Sequence, residues 1–74
     1  MTARKSKPWA VVLCGAFIPI RSEHRSQPEA YRKVAIERVS AQEGHSQVTA
    51  IRVEQWEPDY QQWSLYELIN PKES

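Results

Sequence analysis

The residues of this sequence with nucleophilic or general-base chemistry are Cys14, His24 and His45. A thiol with an imidazole in reach would make an acyl-transfer nucleophile, provided a third group orients the base. Here the three are far apart in the chain, and nothing is spaced to orient either histidine. They read as a small buried cysteine and two surface histidines. One Cys and two His without a Cys-x-Cys or His-x-His pattern give no zinc set, since a carboxylate would have to supply the fourth ligand. Glu57 and Asp59 flank a proline in a turn, where Asp serves local backbone hydrogen bonds. Gly15 stands alone and makes no phosphate-cradling loop. The sequence therefore reads as non-enzymatic, with no catalytic residue, metal or cofactor.

Binding chemistry is better represented. The stretch QWEPDYQQW, Gln55 to Trp63, holds two tryptophans and a tyrosine around Pro58. Trp, Tyr and Arg dominate the energetic centres of protein interfaces. A second set of residues suggests nucleic acid: Arg4, Lys5 and Lys7 in an N-terminal arm, with Arg21, Arg25, Arg32 and Lys33 around the start of a helix. Against it, the segment with the aromatic residues also carries Glu54, Glu57, Asp59 and Glu67, which repel phosphates. The net charge of +1 conceals this split. Residues 1–39 hold eight basic and three acidic residues, residues 40–74 two basic and six acidic. No uniform positive field results.

The elements that must position these residues follow from pattern and punctuation. Residues 1–7 are basic and polar without periodicity and read as a flexible arm. Residues 8–70 form the single domain, and residues 71–74 a tail. Trp9 to Leu13 is β-branched and aromatic with apolar side chains on both faces, as in a central strand. Phe17 to Ile20 is a short strand after a turn at Gly15-Ala16, confined to an edge by Pro19. RSEHRS, Arg21 to Ser26, is a polar connection. Ser26-Gln27-Pro28-Glu29 is a capping box: Ser26 accepts from the Glu29 amide, the Glu29 carboxylate returns to the Ser26 amide, and Pro28 fits the first turn. The helix places Ala30, Tyr31, Val34, Ala35 and Ala41 on one side with Val39 at the margin, leaves Ile36 outside, and ends at Gly44.

Val48 to Trp56 and Gln62 to Ile69 then make a hairpin. A four-residue loop, Pro58 to Gln61, sets Trp56 opposite Trp63. A regular register continues through Val53 opposite Tyr66, Arg52 opposite Glu67 and Ile51 opposite Leu68. Ile51, Val53, Tyr66 and Leu68 would then lie under the helix, leaving Trp56, Trp63, Leu65, Ile69 and an Arg52/Glu67 pair on the other face. One helix covers only one face of a small sheet, so the second face has no cover from the helix, and its tryptophans read either as a cross-strand pair that stabilises the hairpin or as a partner surface. The row Trp9, Val11 and Leu13 would be open in the same way.

At 74 residues the chain is near the lower limit for a core without staples. Its single cysteine fits a reducing cytoplasm. The opening MTARKSKPWAVVLCGAFIPI imitates a secretory leader. The apolar run is, however, interrupted by Pro19 and much shorter than the ~20 residues of a membrane-spanning helix, so a buried strand is the better reading.

WAVVLCGAFIPIRSEHRSQPEAYRKV followed by VTAIRVEQWEPDYQQWSLYEL resembles very small uncharacterised proteins of actinobacterial phages and mobile elements. The likeness implies an accessory protein and transfers no functional residue. The sequence thus predicts an α+β domain, one helix on a three- or four-stranded, mainly antiparallel sheet in the order β(β)αββ. Its expected function is non-enzymatic: self-association, as a homodimer, or binding of a host protein through Trp56, Trp63, Leu65, Arg52 and Trp9. Nucleic-acid binding through the basic set is the alternative.

Overall fold

A computed structural model describes residues 5–72. The chain forms β1 (Trp9–Gly15), β2 (Phe17–His24), α1 (Gln27–Gln42), β3 (Val48–Glu57) and β4 (Gln62–Ile69). The strands make one antiparallel sheet in the order β2-β1-β3-β4, with α1 on one face. This is the α+β arrangement expected, and β1 is central because both of its faces are apolar.

Trp9, Val11 and Leu13 do not form an open row. Val11 and Leu13 are buried beneath α1 with Ala30, Val34, Val48, Ile51 and Val53, and Trp9 packs against this cluster. The helix lies on the face the sequence left open for β1, because Val11 is paired with Val53 and Leu13 with Ile51. Antiparallel partners point to the same side, so the four aliphatic side chains bury together.

α1 begins as predicted, with Ser26 Oγ accepting from the Glu29 amide at 3.3 Å. The Glu29 carboxylate lies 3.5 Å from His24 Nδ1, in place of the reciprocal bond to the Ser26 amide. The helix closes in a Schellman motif: His45 N–H donates to Ser40 C=O, Gly44 N–H to Ala41 C=O, and Gly44 takes φ of 78°. The buried stripe is narrow, consisting of Ala30, Val34 and Ala41, while Ala35, Ile36 and Val39 face solvent. At the level of the backbone α1 packs over β1, β2 and β3. It reaches β4 through side chains.

β2 is longer than expected, continuing through Arg21–His24. Polar composition suggested a connection there, but every residue from Ile20 to His24 finds a partner on β1. The hairpin loop is Pro58–Gln61 as predicted, with Trp56 opposite Trp63 and Gln61 in a left-handed conformation (φ 49°). Beyond Glu54 the register differs from the regular one. Glu54 pairs with Leu65 and Val53 with Glu67, so Tyr66 is an extra, bulged residue. Ile51 consequently meets Ile69 and Arg52 meets Leu68. Ile69 packs against the core, while Leu68 is 62% exposed. The expected places of Leu68 and Ile69 are exchanged, and the Arg52/Glu67 pair does not form. Pro71, assigned to the tail from sequence, is fully buried.

Gly15 joins these elements where β1 pairs irregularly with both neighbours. A Cβ there would lie 2.5 Å from the Gln47 carbonyl oxygen and 2.5 Å from Phe17 Cε1. The first obstacle is backbone and cannot swing away. Gly15→Ala should therefore destabilise the domain by about 1–3 kcal/mol. Thermal melting followed by circular dichroism should show a fall of roughly 4–8 °C per kcal/mol; an unchanged midpoint would show that the junction yields freely.

Candidate functional site: the helix-free face of the sheet

On β1 and β3 the residues between the core positions are Ala10, Val12, Arg52, Glu54 and Trp56, and they face away from α1. The registers align them in rows across the sheet. Glu23, Ala10, Glu54 and Leu65 form one row, Arg21, Val12, Arg52 and Leu68 the next, and Trp56 faces Trp63 at the end. An acidic row thus abuts a basic row, with the smallest side chains on the central strand. Arg21 reaches over β1 to Glu54 at 2.7 Å and also lies 3.8 Å from Glu23. Arg52 approaches Glu54 from the other side at 3.3 Å.

This lattice covers the face that the helix leaves open. Ala10 is 0% and Val12 9% exposed. The Arg21 guanidinium lies 4.5 Å from the Trp63 ring centroid, and Lys5 Nζ lies 4.6 Å from Trp56 and 5.8 Å from Trp63. Such cation–π contacts are worth about 0.5–1 kcal/mol at exposed sites. Trp56 and Trp63 meet edge to face at 5.4 Å, contributing about 0.5–1.5 kcal/mol. Trp56 Nε1 is buried without a hydrogen-bond partner among the described residues, a cost of about 1–3 kcal/mol that offsets much of this gain.

The exposed apolar side chains of the face belong to β4: Leu65 and Leu68. Of the residues expected to bind a partner, Trp56, Trp63, Leu65 and Arg52 come together here. Trp9 does not, because it stacks on Tyr66 on the helix side, ring centroids 4.9 Å apart. Leu68 was missed by sequence, since its place depends on the bulge at Tyr66.

The basic residues of the alternative reading are dispersed. Lys5 and Arg21 cap the tryptophans, Lys33 pairs with Glu37 along α1 at 3.6 Å, Lys7, Arg25 and Arg32 are exposed elsewhere, and Arg4 lies outside the described residues. Cys14 and His24 sit at opposite ends of β1, since His24 is the partner of Trp9 and Cys14 that of Ala50. Among the described residues no group of three or more His, Cys, Asp or Glu is placed to hold a metal.

One polar arrangement escaped sequence reasoning. His24 Nε2 is 2.9 Å from Ser22 Oγ, and its Nδ1 faces Glu29. The order hydroxyl, imidazole, carboxylate is that of a hydrolytic relay. Ser22 Oγ also lies 3.5 Å from the Val11 carbonyl, and the four best-formed grooves among the described residues are lined by other side chains. The arrangement ties the end of β2 to the first turn of α1. Its sequence signal is Ser-x-His on one strand face, followed by an acid in the first helical turn.

On the helix side, Tyr31 donates to the Glu67 carboxylate and Gln27 Nε2 to Tyr66 Oη at 3.0 Å. Tyr31 and Glu67 also line a groove of about 300 Å³ between α1 and β4, together with Val34, Arg38 and Ile69. Comparison of the chain with protein families, curated proteins and solved structures gives no match. Among the described residues no helix is long and apolar enough to cross a membrane.

Burial, the hydrogen bond to Glu67 and its negative charge hold the Tyr31 hydroxyl well above the ordinary tyrosine value of 10. The fold favours the neutral phenol, so this stabilisation is complete below pH ~10 and is lost as pH rises towards the raised value. In Tyr31→Phe, stability should fall by about 1 kcal/mol at neutral pH and decline less steeply above pH ~10. Urea denaturation at a series of alkaline pH values measures both; identical slopes for the two proteins would refute the coupling.

Proposed function

We propose that the chain is a non-enzymatic interaction module that binds protein, a second copy or a host protein, through the β4 side of its helix-free face. The observation that carries this reading is the pair Leu65 and Leu68, 50% and 62% exposed and side by side beside Trp63 and Arg52. Exposed aliphatic side chains rimmed by aromatic and charged groups are the composition of a protein interface. Trp56 and Trp63, central to the sequence reading, supply the stiff floor beneath this surface. Their ring faces are taken by Lys5 and Arg21, which argues against base stacking as their purpose. An accessory role in a phage or mobile element, acting in the reducing cytoplasm where Cys14 remains a thiol, belongs to the same proposal.

The test is photo-cross-linking in the native host, with a benzophenone side chain replacing Leu65 in one variant and the equally exposed Ile36 of α1 in another. Protein adducts are expected from position 65 and not from position 36. DNA and RNA titrations at low and moderate salt complete the test. Steeply salt-dependent nucleic-acid binding, or no protein adduct at position 65, would overturn the reading.

A further inference from the structure

The sheet has two edges of different character. β2 exposes Ile18 and Ile20, 87% and 56%, but is guarded: Pro19 has no N–H to offer, and Arg21 and Glu23 lie along it. β4 contains no proline and no basic residue, carries one charge at Glu67, and leaves Leu65, Tyr66 and Leu68 50%, 49% and 62% exposed. An edge with exposed apolar side chains, guarded by no proline and only by the bulge at Tyr66 and the charge of Glu67, is a template for another strand. The helix reaches it through side chains such as Tyr31 and Gln27, while its backbone stops over β3.

We propose that this edge is the seat of a second copy of the chain, the two β4 strands pairing antiparallel about a twofold axis into one continuous sheet. The inference rests on the protein-binding reading above and names its partner. Self-complementarity favours a second copy over an unrelated strand. Residues three apart on a regular strand lie on opposite faces. The bulge at Tyr66 instead puts Leu65 and Leu68 on the same face, as their partners Glu54 and Arg52 show. An axis between Tyr66 and Glu67 then sets Leu65 against Leu68 of the second copy, twice, on the helix-free face. On the helix face it sets Tyr66 against Glu67 of the second copy, a carboxylate that already accepts from the Tyr31 hydroxyl. No other pair of exposed apolar residues on β4 is matched in this way by a twofold rotation. The need is also visible in the core: its buried hydrophobic residues are all Ala, Val, Leu or Ile, so apolar cover from outside adds to a thin interior.

Sedimentation equilibrium on the full chain from about 1 µM to about 1 mM reads the association directly. The wild-type chain is expected to dimerise within this range. Leu65→Lys with Leu68→Lys, both at exposed positions, should raise the dimer dissociation constant at least tenfold with an unchanged circular dichroism spectrum. Glu67→Gln, which removes the like charges the axis brings together, should lower it severalfold. A monomeric mass throughout, or a dimer indifferent to both changes, overturns the inference. If position 65 cross-links to a different protein while the chain stays monomeric, the second copy is refuted and the binding surface stands; absence of any protein adduct removes both.

Discussion

A single 16-residue helix with a narrow apolar stripe must cover a sheet of four strands, and that mismatch in width governs the rest of the structure. A helix with its side chains is about 10–12 Å across, and strands are spaced at roughly 4.8 Å, so one helix covers two to three strands. α1 packs over β1, β2 and β3. The buried side chains are therefore those of the central pair, Val11, Leu13, Ile51 and Val53, and β4 meets the helix through side chains, with Ile69 against the core and Tyr31 and Gln27 reaching to Glu67 and Tyr66.

The other face solves its exposure without a second layer. Small residues on β1 let Arg21 extend across two strands, and Glu54 receives guanidinium groups from both sides. Individually, surface ion pairs contribute little, about 0–1 kcal/mol. Their effect here is geometric: the aliphatic stems and planar head groups keep water from Ala10 and Val12, as long charged side chains can do. The lattice stops at β4, because β4 answers Arg52 and Glu54 with leucines rather than charges. The apolar side chains exposed on β4 are thus the remainder of two covering devices, each of which ends one strand short.

Much of the scaffold was legible from local chemistry. The Ser26 cap, the Gly44 terminus, the Pro58–Gln61 loop and the central position of β1 each depend on a few neighbouring residues with strong conformational preferences. The extent of β2 was not legible, because Arg21 to His24 is strand only by virtue of pairing with β1. The candidate site was half legible: Trp56, Trp63, Leu65 and Arg52 were placed on one face by turn counting, whereas Trp9 was assigned to the wrong face and Leu68 was expected under the helix.

What the sequence determined by itself was the kind and order of the elements, since caps, turns and alternation are encoded within a few residues of where they act. What only the tertiary structure decided was facing. The side of β1 that α1 chooses depends on Val11 and Leu13 meeting Val53 and Ile51 across strands distant in sequence. The side that Leu68 presents depends on one extra residue, Tyr66, accommodated where it stacks on Trp9. A strand has a side-chain period of two, so a single bulge exchanges inside for outside beyond it, and no local signal in QWSLYELI announces where that happens.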